Sequence, residues 1–524
     1  MEQTNAKLKL IVTGLLLAIL MASMDNTIVV TAMGTIVGDL KGLDSFVWVI
    51  SAYMVAEMAG MPIFGKLSDM YGRKIFFLMG MILFLAGSAL CGIATDITQL
   101  SIFRAIQGVG GGALIPIAFT IVFDIFPPEK RGKMGGLFGA VFGLSSIFGP
   151  LLGAYITDNL SWHWVFYINL PLGILGFILI ALFYKESSVH SKQKIDWLGA
   201  IALVGAVVCL MFALELGGKK YDWNSNEIIS LFSGFILLIV AFIFIERNAA
   251  EPIISFKMFK NRLYAGSTMV GMFYGAAFMG ATTYIPIFIQ GVHGGSATNS
   301  GLLLLPMMLS STVTAQVGGI LASRMSYRNV MFISSVITIA GIILLGTLTP
   351  DTSRFVITIY MIVVGLGVGF SFSVLGMSAI HGFGMEQRGQ ASSTSNFLRS
   401  LGMTVGVTVY GTIQNNDFKD LLKEGFKKLG AGAGNTAAPG FQSADPNGLL
   451  SEHARSMMPP QVLHNIIDAL SSSIVHTFLW ALVPAGMAFL FIFLMGNERL
   501  VINRQQGAKG DKKTALKPAT DKGI

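Results

Sequence analysis

Fourteen long apolar runs separated by mostly short polar joints leave few folds open to this chain. They cover residues 10–33, 46–65, 75–94, 100–123, 135–157, 164–184, 197–216, 228–245, 264–290, 299–322, 329–348, 355–380, 393–414 and 474–495. A helix that crosses a bilayer needs about 20 such residues. Only 12% of the 524 residues are charged, against about 25% in ordinary soluble proteins, so a polar coat for a water-soluble body is missing. None of the runs alternates apolar with polar residues as outer-membrane barrel strands do. The first run is too long for a cleavable signal, contains Asp25, and is followed by no small-residue cleavage site. The expected fold is an all-α integral membrane protein with 14 transmembrane helices.

The positive-inside rule sets the expected orientation. With the N-terminus inside, the cytoplasmic segments hold 25 Lys and Arg and the external segments 9, while Arg104 and Arg399 fall within helices. Both termini are then cytoplasmic, and the basic tail 497–524 reads as a lipid-facing charge run that binds no nucleic acid. The two cysteines, Cys91 and Cys209, lie in apolar runs, and the seven histidines are scattered. No disulfide framework, metal site, cofactor site or nucleotide-binding motif is expected, nor an enzyme's clustered nucleophiles and acids.

One joint is long, at 415–473. Its opening DFKDLLKEGFKKLG puts Phe418, Leu421, Leu422, Phe426 and Leu429 on one helical face, so a surface amphipathic helix followed by a loose external loop is expected. The chain also repeats itself. GKLSDMYGRK (65–74) and GILASRMSYR (319–328) share Gly and Leu at an offset of 254, and EKRGKM (129–134) matches EQRGQA (386–391) at 257. The repeat predicts two six-helix bundles, 1–184 and 264–496, with two further helices in 185–263 between them. Parallel repeats of this kind occur in transporters whose site lies at the repeat interface.

Four motifs resemble the major facilitator superfamily, in particular its 14-helix drug:proton antiporters. They are MDNTIVVTA around Asp25, GKLSDMYGRK with Met70 in place of the usual basic residue, FRAIQGVGGGA with Arg104, Gln107 and Gly108, and GLSSIFGPLLGA with Gly143, Gly149, Pro150 and Gly153. In the last, Ala154 replaces the usual final glycine; WHWVFYINLPLG is also similar, with His163 where Arg is usual. The resemblance implies proton-coupled efflux of hydrophobic or cationic drugs by alternating access, in a bacterial cytoplasmic membrane; the expected partners are those drugs, protons and membrane lipids, and the expected functional unit is a monomer. Uptake symport, or export of one dedicated metabolite, is the other transporter reading.

Several residues could carry such a mechanism. Asp25 and Arg104 share a depth in the outer half of the membrane, where a buried charge is costly. Either they form a static ion pair that locks two helices, or Asp25 is a carboxylate that titrates during the cycle. Glu57, near the midplane with no basic neighbour on its own helix, is either permanently neutral or a second proton carrier. Arg399 is a candidate counter-charge. The resemblance implies a conformational latch at Asp69, Arg73 and Lys74, which Asp124, Arg131 and Arg388 could join, and close helix contact at Gly143, Gly149, Pro150 and Gly153. Phe273, Tyr274, Phe278 and Tyr284 are candidate walls of an adaptable drug cavity.

Overall fold

The structure is a computed structural model that describes residues 5–40, 47–186, 196–218, 220–294, 297–428 and 459–499. The described residues are nearly all helical. In chain order the helices are α1 (Asn5–Leu40), α2 (Val47–Tyr71), α3 (Arg73–Cys91), α4 (Ile97–Ile125), α5 (Pro128–Asn159), the single turn α6 (Trp164–Tyr167) and α7 (Asn169–Phe183). Then come α8 (Trp197–Leu216), α9 (Asn226–Asn248), α10 (Arg262–Gly291), α11 (Ala297–Leu321), α12 (Tyr327–Leu345), α13 (Arg354–Ile380), α14 (Arg388–Lys428), α15 (Pro460–Trp480) and α16 (Leu482–Ile492). Side-chain caps start several of them: Asp96 accepts from Thr98 and Gln99 at the head of α4, and Asn261 from Leu263 and Tyr264 at the head of α10.

Among the described residues thirteen segments are long and apolar enough to cross a membrane, with α6–α7 and α15–α16 each forming one of them. The fourteenth crossing is α14. It is less apolar than the others because it carries Asn396, Arg399 and Gln414, and it packs against α2, α4, α10, α13 and α15, which bury Gln414 and leave Asn396 and Arg399 part-buried.

The internal repeat is visible in the packing. In the first half α1 packs on α5 and α7, α2 on α4, and α3 on α4 and α7. In the second half α10 packs on α14 and α16, α11 on α13, and α12 on α13 and α16. Glycines make the match residue by residue. A Cβ on Gly108 would collide with the carbonyl of Tyr53, and one on Gly365 with that of Met307; Gly112 and Gly369 stand in the same relation to Glu57 and Ser311. Gly110 touches the backbone of Phe84, and Gly367 that of Thr338. Every glycine here is shifted by 257 and every partner by 254, the two offsets read from the loops. Small residues let the helices approach this closely. The halves meet through α5 against α11 and, as the symmetric counterpart, α14 against α2; α8 and α9 pair with each other, and α8 leans on α2.

One expectation is corrected. Residues 415–428 are not a separate surface helix but the continuation of α14, and 460–473 are the start of α15. Phe418 is buried, and Leu421 and Leu422 pack with Val462, Ile466 and Leu470. Gln414 reaches the hydroxyl of Ser473 at 3.2 Å, and His476 meets Asp417 at 3.3 Å. The apolar face in DFKDLLKEGF was read for a surface, whereas a second helix covers it. Leu429, the loop to residue 458 and the tail from residue 500 lie outside the described residues.

Candidate functional site

Five elements of the first half converge on Asp25, which is fully buried. Arg104 of α4 forms an ion pair with Oδ2. Gln107, one turn further along α4, donates to Oδ1 at 2.8 Å, and Asn169 at the head of α7 donates to the same oxygen at 2.8 Å. Asn169 also reaches Ser88 of α3 at 3.0 Å, and Arg104 donates to Gln107 at 2.7 Å and to the Val49 carbonyl at 3.3 Å. Its guanidinium lies 4.1 Å from the ring centroid of Tyr53 on α2. Charge, hydrogen bonds and a cation–π contact therefore all hold Arg104. The equal depth of Asp25 and Arg104 was legible in the sequence. The roles of Tyr53, Ser88 and Asn169 were not, although Asn169 stands in the segment WHWVFYINLPLG.

Glu57 lies one helical turn from Tyr53. It is part-exposed rather than caged, and the side chain it meets is Asn26, next to Asp25. The Tyr53 hydroxyl, above Gly111 and close to Glu57, has no hydrogen-bond partner among the described residues. The two acids thus differ: both oxygens of Asp25 are bonded within a fully buried cage, while Glu57 is part-exposed and meets Asn26.

A second cluster closes the seam between the halves at the far ends of α2 and α4. Asp69 accepts from the backbone amides of Gly389 (2.9 Å) and Gln390 (2.8 Å), capping α14 from the opposite half. Arg73 pairs with Asp69 (3.4 Å) and with Asp124, and donates to the Met385 carbonyl. Arg388 reaches Asp124 at 3.0 Å. The Gln390 side chain grips the carbonyls of Pro252 (2.7 Å) and Ile253 (2.8 Å), and Lys66 pairs with Glu251 at 2.6 Å, which ties the α9–α10 link to the same place. Between α2 and α3 the backbone turns at Gly72 with φ of 112°, a conformation open to glycine; Glu186 then caps α3 through Arg73 N at 2.6 Å and Lys74 N at 3.0 Å.

Two residues expected in this cluster point elsewhere. The Lys74 ammonium bonds the Ala181 carbonyl at 2.7 Å. Arg131 donates to the Phe126 carbonyl at 3.0 Å and lies over the Phe123 ring. The repeat explains the second: Arg388 makes the same bond to Phe383 at 3.1 Å, an anchor common to both halves.

The glycines of α5 divide between two partners. Gly143 abuts Thr312 of α11 across the seam, while Gly149 and Gly153 abut Thr27 and Thr31 of α1, with Pro150 inside the helix between them. Beyond Gly143, Leu151 and Leu309 are exposed. Of the four candidate wall residues, only Phe278 reaches the seam, where its edge meets Phe372 at 6.0 Å. Tyr274 is buried and bonded to Ser334 at 2.9 Å, Tyr284 is buried in the second-half core, and Phe273 stacks on Phe491. A cavity of about 510 Å³ lies instead on the outer side of α2, between α4 and α8, lined by Trp48, Ala56, Val109, Met211 and Phe212 among others.

The sequence profile of the Major Facilitator Superfamily matches residues 15–407. The chain is 55% identical over 514 residues to multidrug resistance protein 3 of Bacillus subtilis (strain 168), covering 98% of this chain and 100% of that one. It is 39% identical over 480 residues to multidrug transporter protein MdtP of the same organism, covering 90% and 88%. Its fold is similar to that of the human organic anion transporter MFSD10 (TETRAN), with a TM-score of 0.59 at 15% identity over 93% of this chain and 99% of that one. The proton:xylose symporter XylE gives 0.59 at 13% identity over 96% and 99%. The chain belongs to the major facilitator superfamily. It is a multi-pass membrane transporter, not an enzyme.

Proposed function

We propose that this transporter exports hydrophobic or cationic compounds across a bacterial cytoplasmic membrane in exchange for protons, with both termini in the cytoplasm. The names of its Bacillus relatives support a multidrug substrate range. The observation that carries the coupling is the contrast between two neighbouring acids: Asp25 caged by Arg104, Gln107 and Asn169, and Glu57 part-open beside them. A proton and a cationic cargo compete for Glu57, and the neighbouring Asp25–Arg104 pair, neutral as a whole, sets the local field in which that exchange takes place.

The cluster of Asp69, Arg73, Asp124 and Arg388 acts as the cytoplasmic latch. Latched, the halves 1–184 and 264–496 leave the site facing outward, where a proton enters and cargo leaves. Unlatched, they rock about the seam and expose it to the cytoplasm, while 185–263 rides with the first half through α2. Gly143 keeps the α5–α11 contact tight enough to exclude water. This is alternating access between two packed arrangements.

Proteoliposomes with an acidic lumen, supplied outside with ethidium as a lipophilic cation, test the reading. Gradient-dependent accumulation that an uncoupler abolishes is expected, and Glu57→Gln and Asp25→Asn should each reduce it. Accumulation indifferent to the uncoupler, or cargo running with the proton rather than against it, would refute antiport. Full transport in both variants would refute the assignment of the two acids.

A further inference from the structure

Arg399 sits on α14 within the seam, eleven residues from the helix start. Its guanidinium lies 4.7 Å from the ring centroid of Phe372 on α13. Across the seam Phe142 of α5 stacks on the same ring (6.3 Å, 16°), and Phe278 of α10 meets it edge-on (6.0 Å, 89°). Phe142 is the counterpart of Arg399 at the repeat offset of 257. At matched positions, then, one half offers a ring and the other a cation, and both address Phe372.

The two other arginines deep in this part of the molecule have acids: Arg104 has Asp25, and Arg73 has Asp69 and Asp124. Among the described residues Arg399 has no carboxylate partner, and the contact recorded for it is the Phe372 ring. A guanidinium carries five N–H donors. Holding it inside a membrane protein without an anion is costly, and a cation–π contact recovers part of that cost only. Yet Arg399, Phe142, Phe278 and Phe372 are all part-exposed, so the cluster is not sealed within the core.

We propose that Arg399 receives the carboxylate or sulfonate of an aromatic cargo, with Phe142, Phe278 and Phe372 holding its ring. The planar fork suits such groups, which it can bind through two parallel hydrogen bonds. The inference rests on the export reading and widens its cargo: Glu57 meets a cationic group and Arg399 an anionic one, so zwitterionic and acidic aromatic compounds are accepted alongside cations.

Calorimetric titration of the full-length detergent-solubilised protein with 2-naphthoate and with neutral 2-naphthamide tests this directly, because the two probes share one ring system. The wild type should bind the acid tighter than the amide by about tenfold or more, the size of a charge-assisted hydrogen bond. Arg399→Lys should keep most of that preference, and Arg399→Met and Arg399→Gln should both bring it close to unity. A wild-type preference near unity, or one that survives in either uncharged variant, would overturn the proposal. No proton gradient is present in this measurement, so its failure and the failure of proton coupling are told apart.

Discussion

The first-half residues of the proposed latch, Asp69, Arg73 and Asp124, and their repeat positions in the second half stand on equivalent backbone and hold different chemistry. Shifting Asp69 and Arg73 by 254 gives Ser323 and Tyr327, and shifting Asp124 by 257 gives His381. Where Arg73 pairs with Asp124, Tyr327 bonds His381 at 3.3 Å. Where Asp69 crosses the seam to cap α14, the Ser323 hydroxyl turns back to the Ile320 carbonyl of its own helix. The repeat thus supplies the architecture twice but an ionic clamp once. The acids of that clamp all come from the first half, which also holds Asp25 and Glu57, while the second half supplies Arg388 and the α14 amides that they meet.

The comparison breaks most sharply if the charged copy is neutralised. Asp69→Ala leaves Arg73 short of a buried partner and removes the cap from α14, at an expected cost of about 3–5 kcal/mol to the latched arrangement. That is close to the amount that inverts a two-state population. Spin labels on the latch-side ends of the two halves should report a longer distance, measured by double electron–electron resonance; an unchanged distribution would show that the clamp holds nothing. A smaller effect comes from giving the neutral copy a charge. His381 lies close enough to Arg131 to feel it, so His381→Asp should create a second clamp and slow transport by up to about fivefold, the weight of one part-exposed ion pair. Turnover equal to wild type would mean that Arg131 stays with Phe126.

The smallest effect is a pH dependence. Burial pushes His381 below its usual value; Glu498 opposes this, while Arg131 and Arg388 add to it. A histidine that is harder to protonate folded than unfolded contributes stability above its unfolded value, and that stability falls away as pH drops below about 6.5. The melting temperature should therefore drop more between pH 7.5 and pH 5.5 in the wild type than in His381→Gln. Equal drops would remove His381 from the account.

Much of this molecule was legible in its sequence, for reasons that differ by element. Apolar length reveals a span wherever lipid is the solvent, which is why the fourteen runs stand out; α14 is the least apolar of them because it carries Asn396, Arg399 and Gln414, which its neighbours shelter in part. Matched loop motifs fixed the repeat, and the glycine contacts of α4 and α13 carry it into the packing. Asp25 and Arg104 could be paired from depth alone. Side-chain direction could not be read in the same way. Tyr274 and Tyr284 look like cavity walls by composition but face their own bundle, and Lys74 turns to Ala181 because α7 happens to end beside it. The continuation of α14 past Gln414 was hidden because its amphipathic face is covered by α15, a partner far away in sequence.

That continuation has a mechanical result. At about 1.5 Å per residue, the 41 residues of α14 make an unbroken rod of about 60 Å, roughly twice the thickness of the hydrocarbon layer. One tip is gripped by Asp69, and the other, well past the length that a span needs, is braced by α15. A small swivel at the gripped tip is geared up into a larger sweep at the free one. An antibody fragment fastened to the far tip should therefore slow the transporter, or report each change of conformation, without touching the cargo pathway.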